Sequence, residues 1–278
     1  MIARLFILAF LLFASRTLLQ AAQVDGQVKS VTGDAVLVTP EGKTEKITTK
    51  TEIPPGSKIV TQDKSDVIIQ WMPGAFSILY PDTKVQVTSL NYTKPATTTG
   101  TANRHVAIGL LSGSVFSHLT HNTGTSDFRV RTPAGVAAAR GTDYIVTFSG
   151  GQMTVSVLAD TVTMTLPSGK VVTATALFTY LLGNPAATGL SQNEITSILQ
   201  GLANIGLSVT LQNINNPVPP PYPGTTTSGY VVTYTPPDGS EGFSFFIPQS
   251  VGSPQAPFRS PLSATPINSS DFVPPASH

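Results

Sequence analysis

Two histidines are the residues of this 278-residue chain whose spacing first suggests chemistry. His118 and His121 form the one close pair of histidines in the sequence, in the segment His118-Leu119-Thr120-His121. A zinc site needs three or four converging ligands, and no third ligand stands at a defined spacing from this pair. The chain has no cysteine, which excludes thiolate metal sites, disulfides and cysteine nucleophiles. We therefore predict no bound metal and no cofactor.

The residue patterns of common enzyme active sites are also missing from the sequence. It contains no Gly-x-Ser-x-Gly motif, no glycine-rich phosphate loop ending in lysine and no His-Glu-x-x-His motif. Its 15 acidic residues are scattered along the chain, so the spacing does not indicate a pair of catalytic carboxylates. The sequence predicts a protein that is not an enzyme.

Charge and composition restrict the partners and the fold. The chain has 16 Lys and Arg against 15 Asp and Glu, a net charge of +1, and only 11% charged residues. Nucleic-acid-binding domains are usually strongly basic, so we expect no nucleic-acid partner. The 23 glycines and 23 prolines favour strands and turns over helices.

The first 22 residues have the pattern of an export signal. Arg4 precedes an apolar run of ten residues, Leu5–Ala14, which is half of the roughly 20 residues that span a bilayer. We predict a signal peptide at 1–22 that is removed near Ala22, leaving a periplasmic or secreted protein with no membrane span. Arg16 and the leucines after it also fit an uncleaved anchor, and this alternative stays open.

Residues 23–176 alternate apolar and polar side chains in short segments broken by Gly and Pro. Phe128 and Val130 share one face of such a segment, and Arg129 and Arg131 share the other. A period of two with one apolar face indicates antiparallel or solenoid-like sheet. We predict one all-β domain of ten or more strands, divided into two halves by an exposed Thr-rich loop at 91–103.

A short helix is predicted in the segment 177–207 that follows. Ser191 and Glu194 have the spacing of a capping box, and Gly206 is a typical C-terminal stop. One face of the helix is apolar, and a helix this short must dock on something; that face consists of Ile195, Ile198, Leu199 and Leu202. Either it packs on the β domain of its own chain, or it contacts a partner protein.

The rest of the chain is rich in proline. We predict a Pro-rich linker at 208–248 that contains a candidate β-hairpin, formed by Gly229–Thr235 and Gly242–Ile247. An isolated hairpin is marginally stable in water, so it would need the main domain behind it. The tail at 249–278 has the Pro- and Ser-rich composition of a disordered segment.

Two stretches of the β region carry a family resemblance. The first is Gly113-Ser114-Val115-Phe116, and the second runs from Phe128 through Thr132-Pro133-Ala134-Gly135 to Arg140-Gly141-Thr142-Asp143 and Val146. Together they closely resemble the FecR domain, with its Gly-x-Val strand and its Thr-Pro…Arg-Gly-Thr spacing. The resemblance extends over roughly residues 24–176. The family is named for a periplasmic sensor of iron dicitrate that controls a sigma factor.

The resemblance implies an elongated, twisted β-sandwich or solenoid-like domain that binds or senses and does not catalyse. It also implies that six motif residues have a structural role, namely Thr132, Pro133, Gly135, Arg140, Gly141 and Thr142. The regulators of this family carry a sigma-inhibiting segment and a transmembrane helix ahead of the domain. The sequence has a predicted signal peptide in that place, so we do not expect direct control of a sigma factor.

Arg140 can be interpreted in two ways. Its guanidinium would need carboxylate or carbonyl partners if it were buried, and Asp143 and Asp160 are the nearest acidic residues in sequence. In the structural interpretation Arg140 locks the junction between two strands, and Gly141 allows a sharp turn there. In the other, Arg140 contacts a ligand.

Three functional hypotheses follow from the sequence. In the first, the protein is an exported FecR-like binding or sensing module that acts through a protein partner in the cell envelope, docked on the helix or on an open sheet edge. In the second, it is a structural spacer of the envelope that uses the Pro-rich tail as a tether. The third is a hydrolase with an unfamiliar site. The oligomeric state is not fixed by the sequence.

Overall fold

The structure of the protein is a computed structural model, which describes residues 22–93, 101–121, 124–182, 187–214 and 227–248. The predicted signal peptide up to residue 21, the centre of the Thr-rich loop and the predicted disordered tail lie outside the described residues. The described residues form twenty-one strands and one helix.

Nine strands form the first sheet, sheet A. All neighbours in it are antiparallel except β10 and β11, which are parallel. A two-residue strand, β1 (Ala22–Gln23), adds to β9. The order of sheet A is β4 (Thr44–Lys46), β3 (Ala35–Val38), β6 (Lys58–Thr61), β9 (Lys84–Thr93), β10 (Asn103–Leu119), β11 (Ser126–Thr132), β12 (Gly135–Ala139), β15 (Thr161–Thr165) and β16 (Val171–Thr175).

The second sheet, sheet B, is antiparallel throughout. It faces sheet A across the main core. Its order is β5 (Glu52–Ile53), β2 (Gly26–Thr32), β7 (Asp66–Met72), β8 (Ala75–Leu79), β10, β13 (Asp143–Ser149), β14 (Gln152–Ala159), β17 (Phe178–Leu181) and β18 (Thr188–Gly189).

Strand β10 belongs to both sheets. Its first part pairs with β9 and β11 in sheet A, and its last part, from Gly113 on, pairs with β8 and β13 in sheet B. The strand changes sheets at Gly113, whose φ is 91°. A Cβ there would lie 2.6 Å from the Cα of Thr83 and 2.8 Å from the carbonyl oxygen of Asp82. Only glycine fits this crossing without a shift of the backbone.

The main core lies between the two sheets and follows the predicted alternation of side chains. Phe128 and Val130 are fully buried, whereas Arg129 and Arg131 on the same strand lie on the outer face of sheet A. The largest buried side chain is Trp71, and its indole nitrogen donates a hydrogen bond to Ser77 Oγ at 2.9 Å. The prediction of an all-β, sandwich-like domain is confirmed.

A second layer covers the outer face of sheet B. It consists of the helix α1 (Gln192–Asn204) and a three-stranded antiparallel sheet, sheet C, and we call it the C-terminal unit. Its apolar side chains form a second core with the outward-facing residues of sheet B. The strands of sheet C are β19 (Ser208–Ile214), β20 (Thr227–Tyr234) and β21 (Phe243–Pro248).

Helix α1 begins with the predicted capping box. The backbone N–H of Glu194 donates to Ser191 Oγ at 3.3 Å, and the N–H of Ser191 donates to Glu194 Oε2 at 2.7 Å. The helix ends at Asn204, shortly before Gly206, which has a φ of 94°. In the part of the chain that the structure describes, no helix combines the length and the apolar character needed to cross a membrane.

The structure corrects two of the predicted segments. Residues 208–214 form β19 and pair with β20, so the segment 208–248 contains a three-stranded sheet where we expected a linker with a hairpin. The β domain also runs past residue 176, because β17 and β18 complete sheet B. Both segments were missed because Pro and Gly residues near them are typical of loops.

Candidate functional site

The described residues form a cleft where the end of sheet B meets the C-terminal unit. Its volume is about 260 Å³. One wall comes from the end of β10 and the start of β13, and the other comes from β21. Its polar lining residues include His118, Thr120, His121, Asp143 and Asp160.

A buried histidine–aspartate pair forms the floor of this cleft. His118 lies opposite Asp143 in the register of β10 and β13, and each residue is 5% exposed. His118 Nδ1 lies 2.6 Å from Asp143 Oδ1, and His118 Nε2 lies 3.2 Å from Thr120 Oγ1. Both ring nitrogens therefore have polar partners, as a buried imidazole requires.

Sheet C covers the imidazole of His118. The ring of Phe243 stacks on it with a centroid separation of 4.7 Å and an interplanar angle of 20°. Phe76 and Phe245 approach the same imidazole, each with a centroid separation of 6.3 Å. The pair is thus desolvated by residues from both the β domain and the C-terminal unit.

This environment changes the protonation of the acidic residues in the cleft. Burial raises the pKa of the Asp143 carboxyl, while His118 opposes the rise and Asp160 adds to it. Burial also raises the pKa of Asp160, and His121, with Nδ1 at 3.9 Å from Asp160 Oδ2, opposes that rise. The cleft therefore favours neutral carboxyl groups more than water does.

The chain of contacts from Asp143 through His118 to Thr120 has the order of groups in a nucleophilic triad. Such a triad also needs backbone donors to stabilise an oxyanion. The N–H of Leu119 donates to the Thr142 carbonyl, and the N–H of Thr120 donates to the Gly74 carbonyl. These two donors are already paired, so the local backbone favours a structural or binding role for the pair.

The predicted motif residues lie at the two ends of β12. Thr132 and Pro133 form the turn before this strand, where Thr132 Oγ1 accepts from the N–H of Ala134 at 3.2 Å and donates to the Gly135 carbonyl at 3.2 Å. Arg140, Gly141 and Thr142 follow the strand, and the last two of them line the cleft. The strand of five residues separates the two groups, so the motif does not converge on one point.

Gly141 and Thr142 form a tight junction between β12 and β13. Gly141 has a φ of 142°, and a Cβ there would lie 2.7 Å from His121 Nδ1 and 3.1 Å from His121 Cα. Thr142 is buried, and its hydroxyl donates to the carbonyl of Ala159 on the neighbouring strand. The Thr142 hydroxyl ties the start of β13 to β14. The lack of a side chain at Gly141 lets this backbone approach His121 in the loop after β10.

The expected role of Arg140 is not what the structure shows. Arg140 is exposed and makes no hydrogen bond or ion pair with any residue of the described ranges. Its two predicted partners lie elsewhere, because Asp143 pairs with His118 and Asp160 faces His121. The Arg140 guanidinium therefore does not lock the strand junction. The other interpretation, contact with a ligand or partner, remains for it.

The structure distinguishes between the two alternatives for the apolar face of α1. Ile195, Leu199 and Leu202 are buried in the second core at 2%, 6% and 0% exposure, and Ile198 is half-buried against the same core. The helix docks on its own β domain, so this face is not available to another protein. The apolar spacing that suggested a partner is the spacing of an ordinary core face.

The central pair of the site was not found in the sequence. His118 and Asp143 are 25 residues apart, and only the pairing of β10 with β13 places them side by side. Phe243, which covers them, comes from a segment 100 residues further along the chain. In the described part of the protein, no group of three or more metal-ligating side chains lies close enough to hold an ion.

Comparison with known proteins shows a similarity in the central part of the chain. The profile of the family described as "FecR protein" matches residues 57–163. Two crystal structures of a candidate anti-sigma factor from Parabacteroides distasonis are similar to 58% of this chain and 68% of that one, at 16% and 17% identity and TM-scores of 0.38 and 0.37. No curated protein matches the chain. The stretch that is similar to the FecR family, residues 57–163, includes the Gly113 strand and the junction at Gly141.

Proposed function

We propose that the protein is an exported, non-enzymatic binding or sensing module of the FecR family that acts through a protein partner in the cell envelope. The observation that carries the proposal is the FecR domain itself, which spans the centre of the chain at residues 57–163. Members of this family act in regulation. The apolar N-terminal run and its length support export.

The cleft supports binding over catalysis. Its deepest polar groups, His118 and Asp143, pair with each other and lie under Phe243. A group that served as general base would have to reach a substrate proton within hydrogen-bond distance. Thr120, His121, Asp160 and Ser244 are exposed polar residues that line the cleft, so a bound molecule would meet these side chains first.

Arg140 gives the proposed partner a point of contact. Arg140 is exposed next to Gly141, which lines the cleft, and Arg131 on β11 is also exposed. Because the apolar face of α1 is buried, the contact surface of a partner has to include residues of this kind or an open sheet edge. Arginine is enriched at protein interfaces.

A capture experiment tests this function. The tagged full chain, expressed in its native host, is cross-linked in intact envelopes and purified beside the Arg140→Ala and Arg131→Ala variants. We expect saturable capture of one envelope protein by the wild type, weaker capture by Arg140→Ala, and N-terminal sequencing that starts near Ala22. Retention of Met1 together with the absence of a saturable partner would contradict the proposal.

A structural spacer is the second candidate, and the continuity of β10 favours it. One strand of 17 residues runs through both sheets, which makes the domain stiff. The spacer hypothesis predicts that the protein stays in an envelope fraction after extraction and saturates no partner. The same capture experiment separates the two functions.

A further inference from the structure

The two end strands of sheet A differ in how they are protected against pairing with another chain. At one end, β4 is three residues long and carries Glu45 and Lys46. Lys43 forms an ion pair with Glu45 at 3.1 Å, and Lys46 forms one with Asp34 at 2.6 Å. Short length and charged side chains are the usual devices that keep a sheet edge from pairing.

At the other end, β16 has neither device. It is five residues long, its sequence Val-Val-Thr-Ala-Thr has no charge and no proline, and four of the five residues are β-branched. Val171 is 61% exposed. β-Branched residues without charge are the composition that favours strand pairing.

The hydrogen bonds at its two ends show which way the backbone of β16 points. The N–H of Leu166 donates to the Lys170 carbonyl, and the N–H of Ala176 donates to the Asp160 carbonyl. In an antiparallel pair, residues alternate between those that bond to the neighbour and those that point away from it. Val172 and Ala174 therefore bond to β15, and the remaining three residues point away, namely Val171, Thr173 and Thr175.

Two of these three residues have no backbone partner among the described residues. The N–H of Thr175 is bonded to the hydroxyl of Tyr180 at 3.1 Å. For Val171 and Thr173, no residue of the described ranges pairs with the N–H or the carbonyl, and β15 is the one strand that pairs with β16 there. They present two donors and two acceptors along an uncharged edge.

We propose that this edge is an interface between two copies of the chain. The β16 strands of both copies pair antiparallel about a twofold axis at Val172, so that Val171 of each faces Thr173 of the other. This pairing forms four N–H···O=C bonds and joins the two A sheets into one. Such an isologous contact is closed by its own symmetry.

A second copy fits this edge because the edge is complementary to itself. The donors and acceptors of Val171 match those of Thr173 when the strand is reversed. Lys170 then lies opposite Ala174 of the other copy, so no like charges meet. The same pairing at β4 would set Glu45 against Glu45, which is unfavourable. The proposal concerns assembly and stands apart from the proposed sensing function.

Proline substitutions test the interface and provide a matched control. In Thr173→Pro the lost N–H points away from β15, so the fold tolerates the change, but the strand can no longer pair. Thr44→Pro makes the same change on β4, where Thr44 also points outward by the hydrogen bonds at both ends of that strand. Mass is measured by light scattering and analytical ultracentrifugation over a range of protein concentrations.

We expect wild type and Thr44→Pro to approach twice the monomer mass as concentration rises, and Thr173→Pro to remain a monomer. A wild-type mass that stays that of a monomer at all concentrations, or a dimer that survives Thr173→Pro with its fold intact, overturns the proposal. Circular dichroism and thermal melting establish that each variant is folded.

Cysteine cross-linking tests the register without depending on proline. The chain has no native cysteine, and paired residues of this kind have Cα atoms about 5.5 Å apart, which a disulfide can bridge. The Val171→Cys/Thr173→Cys variant should form a covalent dimer on mild oxidation. The Thr44→Cys/Lys46→Cys variant should not, and equal cross-linking of both would contradict the proposed edge.

Discussion

The two faces of sheet B are covered in different ways. The inner face packs on sheet A through aliphatic and aromatic side chains around Trp71. The outer face packs on the C-terminal unit, and its core is bordered by charged and polar contacts. Lys29 Nζ reaches Ser240 Oγ at 2.9 Å, and Glu241 Oε2 accepts from Gln70 Nε2 at 2.8 Å.

The difference indicates that the two-sheet sandwich is more stable than the attachment of the C-terminal unit to it. The inner core lies between two sheets that are joined through strand β10, which is hydrogen-bonded into both. The C-terminal unit, by contrast, makes no strand pairing with sheets A or B among the described residues, since sheet C pairs only within itself. It is held by the second core, the stack on His118 and a few polar contacts. We therefore expect the C-terminal unit to detach from sheet B before the sandwich unfolds.

The largest effect is expected in the inner core. Phe128 is fully buried, and its ring meets that of Tyr144 edge-on at 6.5 Å. Phe128→Ala should lower the free energy of unfolding by about 3–5 kcal/mol. Urea denaturation followed by Trp71 fluorescence and by circular dichroism should show one shifted, coincident transition. Separate transitions for the two probes would contradict a single inner unit.

A substitution in the second core should act locally. Leu202 is fully buried under the C-terminal unit, and Leu202→Ala should weaken the second core by about 2–5 kcal/mol. Hydrogen exchange should speed up in α1 and β21 while β13 stays protected. Leu211→Ala, at a position 59% exposed, is the matched control and should change neither. An equal increase of hydrogen exchange in α1, β21 and β13 would show that the C-terminal unit does not open independently of the sandwich.

The junction beside the cleft should respond to Gly141 and not to Arg140. Gly141→Val places a side chain against His121 at a φ that suits glycine, and we expect a loss of about 1–3 kcal/mol. Arg140→Ala should stay within about 0.5 kcal/mol of wild type, as for exposed positions without special contacts. Thermal denaturation compares the two. A large loss of stability in Arg140→Ala would support the interpretation that Arg140 locks the strand junction.

The polar contacts of the C-terminal unit should contribute less. The Lys29 side chain is only 7% exposed and contacts Ser240 and Asp238. Lys29→Met keeps the apolar stem and should cost about 0.5–1.5 kcal/mol, the range for one hydrogen bond. Lys46→Met removes an exposed pair on sheet A and should cost less. Chemical denaturation of both variants measures the difference, and equal losses would contradict a special role for Lys29.

The smallest expected effect is a change in the free energy of unfolding with pH. The folded pKa of Asp143 is raised, so the folded state binds a proton more readily than the unfolded state. The free energy of unfolding should therefore fall as pH rises from the ordinary pKa of about 4 through the folded pKa. Asp143→Asn should flatten this part of the profile. Denaturation at a series of pH values tests it, and an unchanged slope would show that Asp143 does not contribute to it.

Local patterns in the sequence predicted much of the architecture. The alternation at Phe128–Arg131, the capping box at Ser191 and the hairpin after Gly229 depend on neighbouring residues, and the structure contains all three. The burial of α1 could be foreseen only as one of two alternatives. An apolar helix face has the same spacing whether it packs on its own chain or on another protein.

The site could not be predicted because it depends on pairing between distant segments. His118 and Asp143 become neighbours only through the register of β10 and β13. Arg140 was assigned an acidic partner by nearness in sequence, but the two nearest carboxylates, Asp143 and Asp160, face His118 and His121. Strand β19 was overlooked for a related reason, since its partner β20 lies beyond a proline-rich stretch.

In the proposed sensing function, the long strand β10 would limit the ways in which a change of shape can cross the domain. Domains often change shape when two layers slide past each other or rotate about a hinge. Here a single backbone is hydrogen-bonded into both layers, on either side of Gly113. Sliding one sheet past the other would break the backbone hydrogen bonds of β10, so we expect the sandwich to move as one rigid body. A change that reached the proposed partner would therefore involve movement of the whole sandwich, or release of the C-terminal unit from the outer face of sheet B.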